Sequence, residues 1–287
     1  MSWKWYETAA LMGALLGAAS AAAEEAGEET AGEAVQEQTA EPAAQAASAT
    51  LASIEQCVRD NAPAQTLRQR IELETQDRMG EGRRYDITGL WKRGDEGLAK
   101  LVLRVSAPAD LRGSAFLMIE REGRSPDLFS YLPELDKVRR ISARGAGGAL
   151  FGSDFSYEDV QRLQNLASSA NSSLQGEEER AGRPAWKLES KPAPDDLSAY
   201  TRIVSWIDRE RCIPVAAEFF DADAAPAKVL SLPPDQVVRE GKGWVAMEVS
   251  MEDRGNESRS TLRVQEVELD VKLGEKHFSE AALGRRR

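Results

Sequence analysis

The stretch Tyr131–Val160 reads YLPELDKVRRISARGAGGALFGSDFSYEDV, and it sets the terms for the whole fold. Its front half continues SPDLFSYLP into KVRRIS, two short alternating runs joined by a turn at Pro133-Glu134-Leu135-Asp136, as in a pair of strands. Its back half is a helix start. Ser156 followed by Asp159 forms a capping box, with Phe155 before the cap and Val160 inside the helix as a hydrophobic staple. Tyr157, Val160 and Leu163 share one helical face, with Leu166 close to it. Between the halves lies RGAGGALFG, which places Ala149, Leu150 and Phe151 in a glycine-rich loop. An amphipathic helix among strands must lay its apolar face on a sheet or across the mouth of a barrel. The alternative to a cover is an ordinary packing helix.

The chain on both sides of this stretch is strand-rich. Leu51–Asn61 has helical spacing at Leu51, Ile54, Cys57 and Val58. Alternation then recurs at Ile71/Leu73/Thr75, at Tyr85/Ile87/Trp91 and at Leu101/Leu103/Val105, while Ala115–Ile119 is apolar on both faces. Further strands are expected in SLQGEEER, RPAWKLES, AYTRIVSWID, CIPVAAEFF (starting at Cys212), AKVLSLP, GWVAMEVSM and STLRVQEVELDV. In the last of these the apolar parity shifts from Leu262/Val264 to Val267/Leu269/Val271, which calls for a β-bulge near Gln265. Roughly a dozen antiparallel strands with two or three helices predict a mainly β fold. Its form is a strongly curved sheet or incomplete β-barrel, with a closed sandwich as the runner-up.

Residues 1–23 have a charged start, an apolar middle and Ala21-Ala22-Ala23 before Glu24, the pattern of a cleavable signal peptide. A retained N-terminal anchor is the alternative. Residues 24–50 carry seven glutamates and no lysine or arginine, a composition that predicts a disordered acidic linker ahead of a domain at 51–287. The net charge of −11 resides largely there, and the 51–287 region keeps only −4, with no basic face for nucleic acid. Export to the periplasm favours a Cys57–Cys212 disulfide, with two buried free thiols as the alternative.

No catalytic, metal or cofactor pattern stands out. The one histidine, His277, is near the C-terminus, and the chain has no HExxH, CxxC, Walker loop or GxSxG. These absences predict a protein that is not an enzyme. Lys137, Arg139, Arg140 and Arg144 form a basic cluster suited to anionic headgroups or an acidic partner, or else a solvated strand face.

YLPELDKVRRIS, a small-residue loop and FGSDFSYEDV together resemble a hallmark segment of bacterial outer-membrane lipoprotein-sorting proteins, the LolA-like family. The N-terminal helix with Cys57, VSAPADLRGSAFLM, YTRIVSWIDRERCIPVAAEFFD and STLRVQEVEL extend the resemblance over residues 51–280. It implies a half-open barrel covered by helices and a monomeric periplasmic carrier or chaperone. Such a carrier shelters acyl chains of lipids or lipoproteins in an apolar cavity and moves them toward the outer membrane, with an RND-type permease as partner. On the residues read above, the cargo surface is expected at Leu101, Leu103, Phe116, Met118, Leu150, Phe151, Phe155, Tyr157, Val160 and Leu163. Ser142–Gly148 would supply flexible backbone, Ala149–Phe151 an apolar flap, and Phe155–Leu166 a lid helix. The alternative is a lipid-sensing envelope-stress regulator that binds a membrane signalling protein. An enzyme acting on lipids is the third reading.

Overall fold

The structure, a computed structural model, describes residues 49–62, 64–163, 171–193 and 196–284. The expected signal peptide, the linker up to residue 48 and Leu166 lie outside the described residues. Helix α1 (Leu51–Asp60) begins at Thr50, whose hydroxyl accepts from the Ser53 amide at 3.2 Å while the Ser53 hydroxyl accepts from the Thr50 amide at 3.0 Å. This reciprocal cap satisfies donors that the first turn would otherwise leave open.

Strands β1 (Thr66–Gln76), β2 (Gly82–Arg93), β3 (Ala99–Ala107), β4 (Ala115–Arg121), β5 (Arg124–Leu132) and β6 (Lys137–Ile141) follow as a meander of antiparallel neighbours. Helix α2 (Tyr157–Leu163) interrupts them. The chain continues with β7 (Ser172–Arg180), β8 (Arg183–Ser190), β9 (Arg202–Asp208), β10 (Pro214–Phe220) and β11 (Lys228–Ser231). After these come β12 (Val237–Glu240), β13 (Gly243–Ala246), β14 (Glu248–Asp253), β15 (Ser258–Leu269) and a short α3 (Glu280–Leu283).

Thirteen strands form one curved antiparallel sheet in the order β6-β5-β4-β3-β2-β1-β15-β14-β11-β10-β9-β8-β7. The two ends, β6 and β7, do not pair with each other, so the sheet stays open, as the incomplete-barrel reading required.

Both faces are covered. On β4, Phe116 and Met118 join the large inner-face cluster, whereas Ala115 and Leu117 join a second cluster on the outer face. That is why Ala115–Ile119 reads as apolar on both sides: alternate residues of a strand point to opposite faces. The C-terminal segment plugs the outer face with Phe278 and Leu283, and Arg104 donates to the carbonyls of Ala282 and Leu283 at 2.9 and 3.1 Å. The inner face carries α1, whose Ile54 packs with Leu188 and Ile207, and α2 with the loop before it.

The predicted bulge is present. Arg70 pairs with Glu266 and Ile71 with Val264, leaving Gln265 as the extra residue.

Two expectations need correction. GWVAMEVSM is not one strand: β13 pairs with β12 in a separate hairpin, and β14 joins the main sheet. Met247 stands at the corner because its amide donates to Gln236 O at 2.7 Å while its carbonyl accepts from Val264 N at 2.8 Å. One residue therefore serves two sheets. Cys212 does not start a strand either. It sits in the turn before β10 with φ of 53°, and from there it is disulfide-bonded to Cys57 of α1 across 155 residues of sequence.

Candidate functional site

All ten residues expected to touch cargo fall within one apolar cluster on the inner face. Leu101 and Leu103 of β3 and Phe116 and Met118 of β4 supply the sheet side of it. Leu150, Phe155 and Val160 are buried against them from the other side, and Phe151, Tyr157 and Leu163 are half-buried at its margin. The Phe116 and Tyr157 rings lie 5.2 Å apart, a direct contact between sheet and cover. Burial pushes the Tyr157 phenol up from its ordinary value, an effect only partly offset by its hydrogen bond with Ser130.

The glycine-rich loop is folded tightly on itself. The Leu150 amide donates to Phe155 O at 2.7 Å, the Ser153 amide to Leu150 O at 3.0 Å, and the Tyr157 amide to Gly148 O at 3.1 Å. The Ser153 hydroxyl, itself buried, adds a bond to Leu150 O at 2.7 Å. These bonds turn the chain so that Leu150 points into the cluster while Ala149 stays exposed. Phe151 takes a left-handed backbone, φ 52°, ahead of Gly152 at φ 79°. For a bulky side chain that conformation costs on the order of 1–3 kcal/mol, and the packing of its ring against the cluster offsets it.

Polar groups hold the cover in place. In α2 the expected capping box is made, Ser156 N to Asp159 Oδ2 at 2.7 Å and Asp159 N to Ser156 Oγ at 3.0 Å. Asp159 does more than cap. Its side chain is 0% exposed, and it also accepts from Tyr200 Oη at 2.6 Å and from Lys228 Nζ of β11 at 3.1 Å. Lys228 further donates to Asp154 O at 2.6 Å. The Asp154 carboxylate accepts from the hydroxyls of Ser258 and Ser260 on β15. Buried Glu158 accepts from Arg162, from the Ser198 hydroxyl and from the Ala199 amide. The carboxylates of the cover are therefore fastened to three separate parts of the sheet and its loops. The sequence reading saw Asp159 only as a cap, because Tyr200 and Lys228 carry no local signal.

The basic cluster is exposed. Lys137, Arg139 and Arg140 lie along the edge strand β6, and Arg144 lies in the turn after it. Arg140 reaches Asp127 at 2.5 Å and joins Arg121 and Arg124, which contact the same carboxylate at 2.6 and 3.1 Å. Arg121 and Arg124 were not singled out from sequence, although their hairpin spacing around Asp127 could have signalled them. Hydrogen bonds from Arg124 and then Arg121 outweigh burial and hold Asp127 at a pKa of about 2. A pocket of about 560 Å³ opens here between the β5–β6 edge and α2. Among the described residues, no group of three or more His, Cys, Asp or Glu side chains is arranged to hold a metal ion.

An open antiparallel sheet with a helix and loop over its inner face is shared with several solved structures. A DUF1329 family protein from Desulfovibrio piger superimposes with a TM-score of 0.73 at 22% identity, over 81% of this chain and 95% of that one. A domain assigned to the outer membrane lipoprotein-sorting proteins, from Vibrio parahaemolyticus, gives 0.71 at 24% identity, over 82% and 97%. A LolA superfamily protein from Nitrosomonas europaea gives 0.63 at 20% identity, over 80% and 98%. At these identities the likeness establishes the fold. A family model described as "-like: Uncharacterized protein" matches residues 97–285, more than half of the 287-residue chain, and the chain belongs to that family. The search of curated proteins found no match.

Proposed function

We propose that the protein is a non-catalytic carrier, or chaperone, that shelters the acyl chains of a lipid or lipoprotein on the inner face of its sheet. The observation that carries this reading is the composition of the cover. Leu150, Phe155 and Val160 close an apolar surface by burying apolar side chains, yet the cover is fastened by Asp154, Glu158 and Asp159. Exposing an acyl chain to water costs about 0.8 kcal/mol per methylene, so a carrier needs an apolar lining of this kind. It must also let go. Release requires two conformations with different affinity for cargo, and hydrogen-bonded fastenings can exchange for water as a dispersed apolar seam cannot.

In the closed form Leu150, Phe155 and Val160 belong to one apolar cluster with Leu101, Leu103, Phe116 and Met118, and cargo enters by displacing Leu150, Phe151 and α2 from that sheet surface. The LolA-like neighbours, one of them a lipoprotein-sorting domain by name, support a carrier over a catalyst. The signal-peptide pattern of residues 1–23 and the Cys57–Cys212 bridge support work in the periplasm. Transfer toward the outer membrane as a monomer, together with an RND-type permease, completes the proposal.

The test is native mass spectrometry on protein purified without detergent from its own envelope, followed by lipid extraction. An acyl-bearing species bound to the wild type is expected, with its loss from a Leu150→Asp/Phe151→Asp variant that still unfolds cooperatively. A wild-type protein that carries no such species, and takes none up from vesicles, overturns the carrier reading.

A further inference from the structure

The pocket between the β5–β6 edge and α2 has two unlike sides. Arg124 and Arg140 stand on the sheet side with side chains 54% and 64% exposed, so they form a rim. Arg162 of α2 lines the cover side. Leu128 and Ala146, both buried members of the inner-face cluster, line the bottom. A ligand seated here would touch water, cationic groups and the proposed cargo surface at once.

The charge on the sheet side is unbalanced. Arg121, Arg124 and Arg140 all reach one acid, Asp127. A carboxylate has enough lone-pair sites for three guanidinium groups, but its single charge neutralises only one of them. On the cover side Arg162 is matched by Glu158 at 2.7 Å, and Asp196 is the remaining acid in the lining. Counting Arg121, which lies outside the lining and shares Asp127, four arginines meet the three acids Asp127, Glu158 and Asp196, and one positive charge is left over. Exposed Lys137, Arg139 and Arg144 add three positive charges along the same edge, against exposed Glu134 and Asp136 at its start. Guanidinium forks match the geometry of phosphate oxygens, and their contacts are of the stronger, charge-assisted kind. The size lies within the range of small-ligand pockets.

We propose that this pocket holds the phosphate group of an anionic amphiphile, whose acyl chain passes Leu128 and Ala146 into the inner-face cluster. The cargo is then a phosphate-bearing lipid and not an acylated peptide, whose thioether-linked glycerol carries no phosphate. The inference rests on the carrier reading above. It also gives the ligand a mechanical role: a phosphate between Arg124, Arg140 and Arg162 bridges the sheet to the cover, so bound cargo favours the closed form.

The test compares dioctanoyl phosphatidic acid, dioctanoyl glycerol and inorganic phosphate by titration calorimetry on the full chain. Phosphatidic acid is expected to bind at least about tenfold more tightly than dioctanoyl glycerol, with the advantage shrinking as salt is raised. The advantage should vanish in Arg124→Gln/Arg140→Gln and persist in part in Arg124→Lys/Arg140→Lys. Equal affinity of the wild type for the two dioctanoyl probes overturns the headgroup site and leaves the carrier reading standing. Binding of neither dioctanoyl probe overturns both. Inorganic phosphate binding as tightly as phosphatidic acid overturns the amphiphile, since the chains would then contribute nothing. The wild-type comparison needs no variant, so it decides the matter even if the glutamine pair fails to fold.

Discussion

Helices α1 and α2 lie on the same face of the same sheet, yet they are held there by different chemistry. α1 inserts Ile54 between Leu188 and Ile207, is covalently joined through Cys57 to the turn at Cys212, and exchanges hydrogen bonds between Asn61 and the backbone of Trp244. α2 inserts Val160 but has no covalent tie, and its acids reach Tyr200, Lys228, Ser198 and Arg162. A cross-link persists through every conformation the chain can reach. A set of hydrogen bonds is lost together once the first part of the cover lifts. On the carrier reading proposed above, the difference makes α1 scaffold and α2 the part that moves, and it can be broken in order.

The largest effect is expected at the cross-link. Cys57→Ser/Cys212→Ser releases a loop of 155 residues and should lower stability by about 3–5 kcal/mol, read as a shift of the urea midpoint. Amide exchange should then quicken first in residues 51–60. If instead 148–163 remain the fastest part and 51–60 stay protected, α1 is held by packing alone and the contrast between the helices disappears.

Asp159→Asn should come next, at about 2–3 kcal/mol, because it strands the Lys228 ammonium, whose side chain is only 16% exposed, beside a neutral amide. The asparagine oxygen can still cap α2, so the helix start should survive. Exchange is expected to rise in 148–163 and not in 51–60, together with increased uptake of an apolar dye. Uniform destabilisation with no such localisation would show that the cover opens only when the whole domain unfolds.

These two contacts also mark what could and could not be read from the chain. The strand meander, the start of α2 at Ser156 and the bulge at Gln265 were legible because each has a short-range cause: alternation, a capping box, a change of parity. The apolar character of the ten residues expected to touch cargo was legible for the same reason, although they are only part of a larger cluster. Lys228 and Asp159 are 69 residues apart, and neither spacing nor composition links them. Burial of Glu158 and Asp159 was hidden because acids in a first helical turn are expected to face water. The split at Met247 was hidden because alternation is unbroken from Val245 to Met251, although hydrogen bonds divide that run between two sheets. Pairing across the fold was the missing information in each case.

The smallest effect, Tyr200→Phe, tests the fastening by its pH dependence. At neutral pH the change removes one donor to Asp159 and should cost about 1 kcal/mol. Burial, and after it the negative charge of Asp159, push the Tyr200 phenol well above its ordinary value of 10.0. A group whose folded-state pKa is raised contributes fully below the unfolded value and loses that contribution as pH rises beyond it. Above pH ~10 the unfolded chain releases this proton while the folded protein keeps it, so the wild type should lose about 1.4 kcal/mol per pH unit from this group alone. The phenylalanine variant has no such proton to lose. Its deficit should therefore close near pH ~11 and reverse beyond it. Parallel stability profiles for the two proteins from pH ~7 to ~12 would mean that Tyr200 ionises as freely in the folded state as in the unfolded one, and that its bond to Asp159 does not hold the cover.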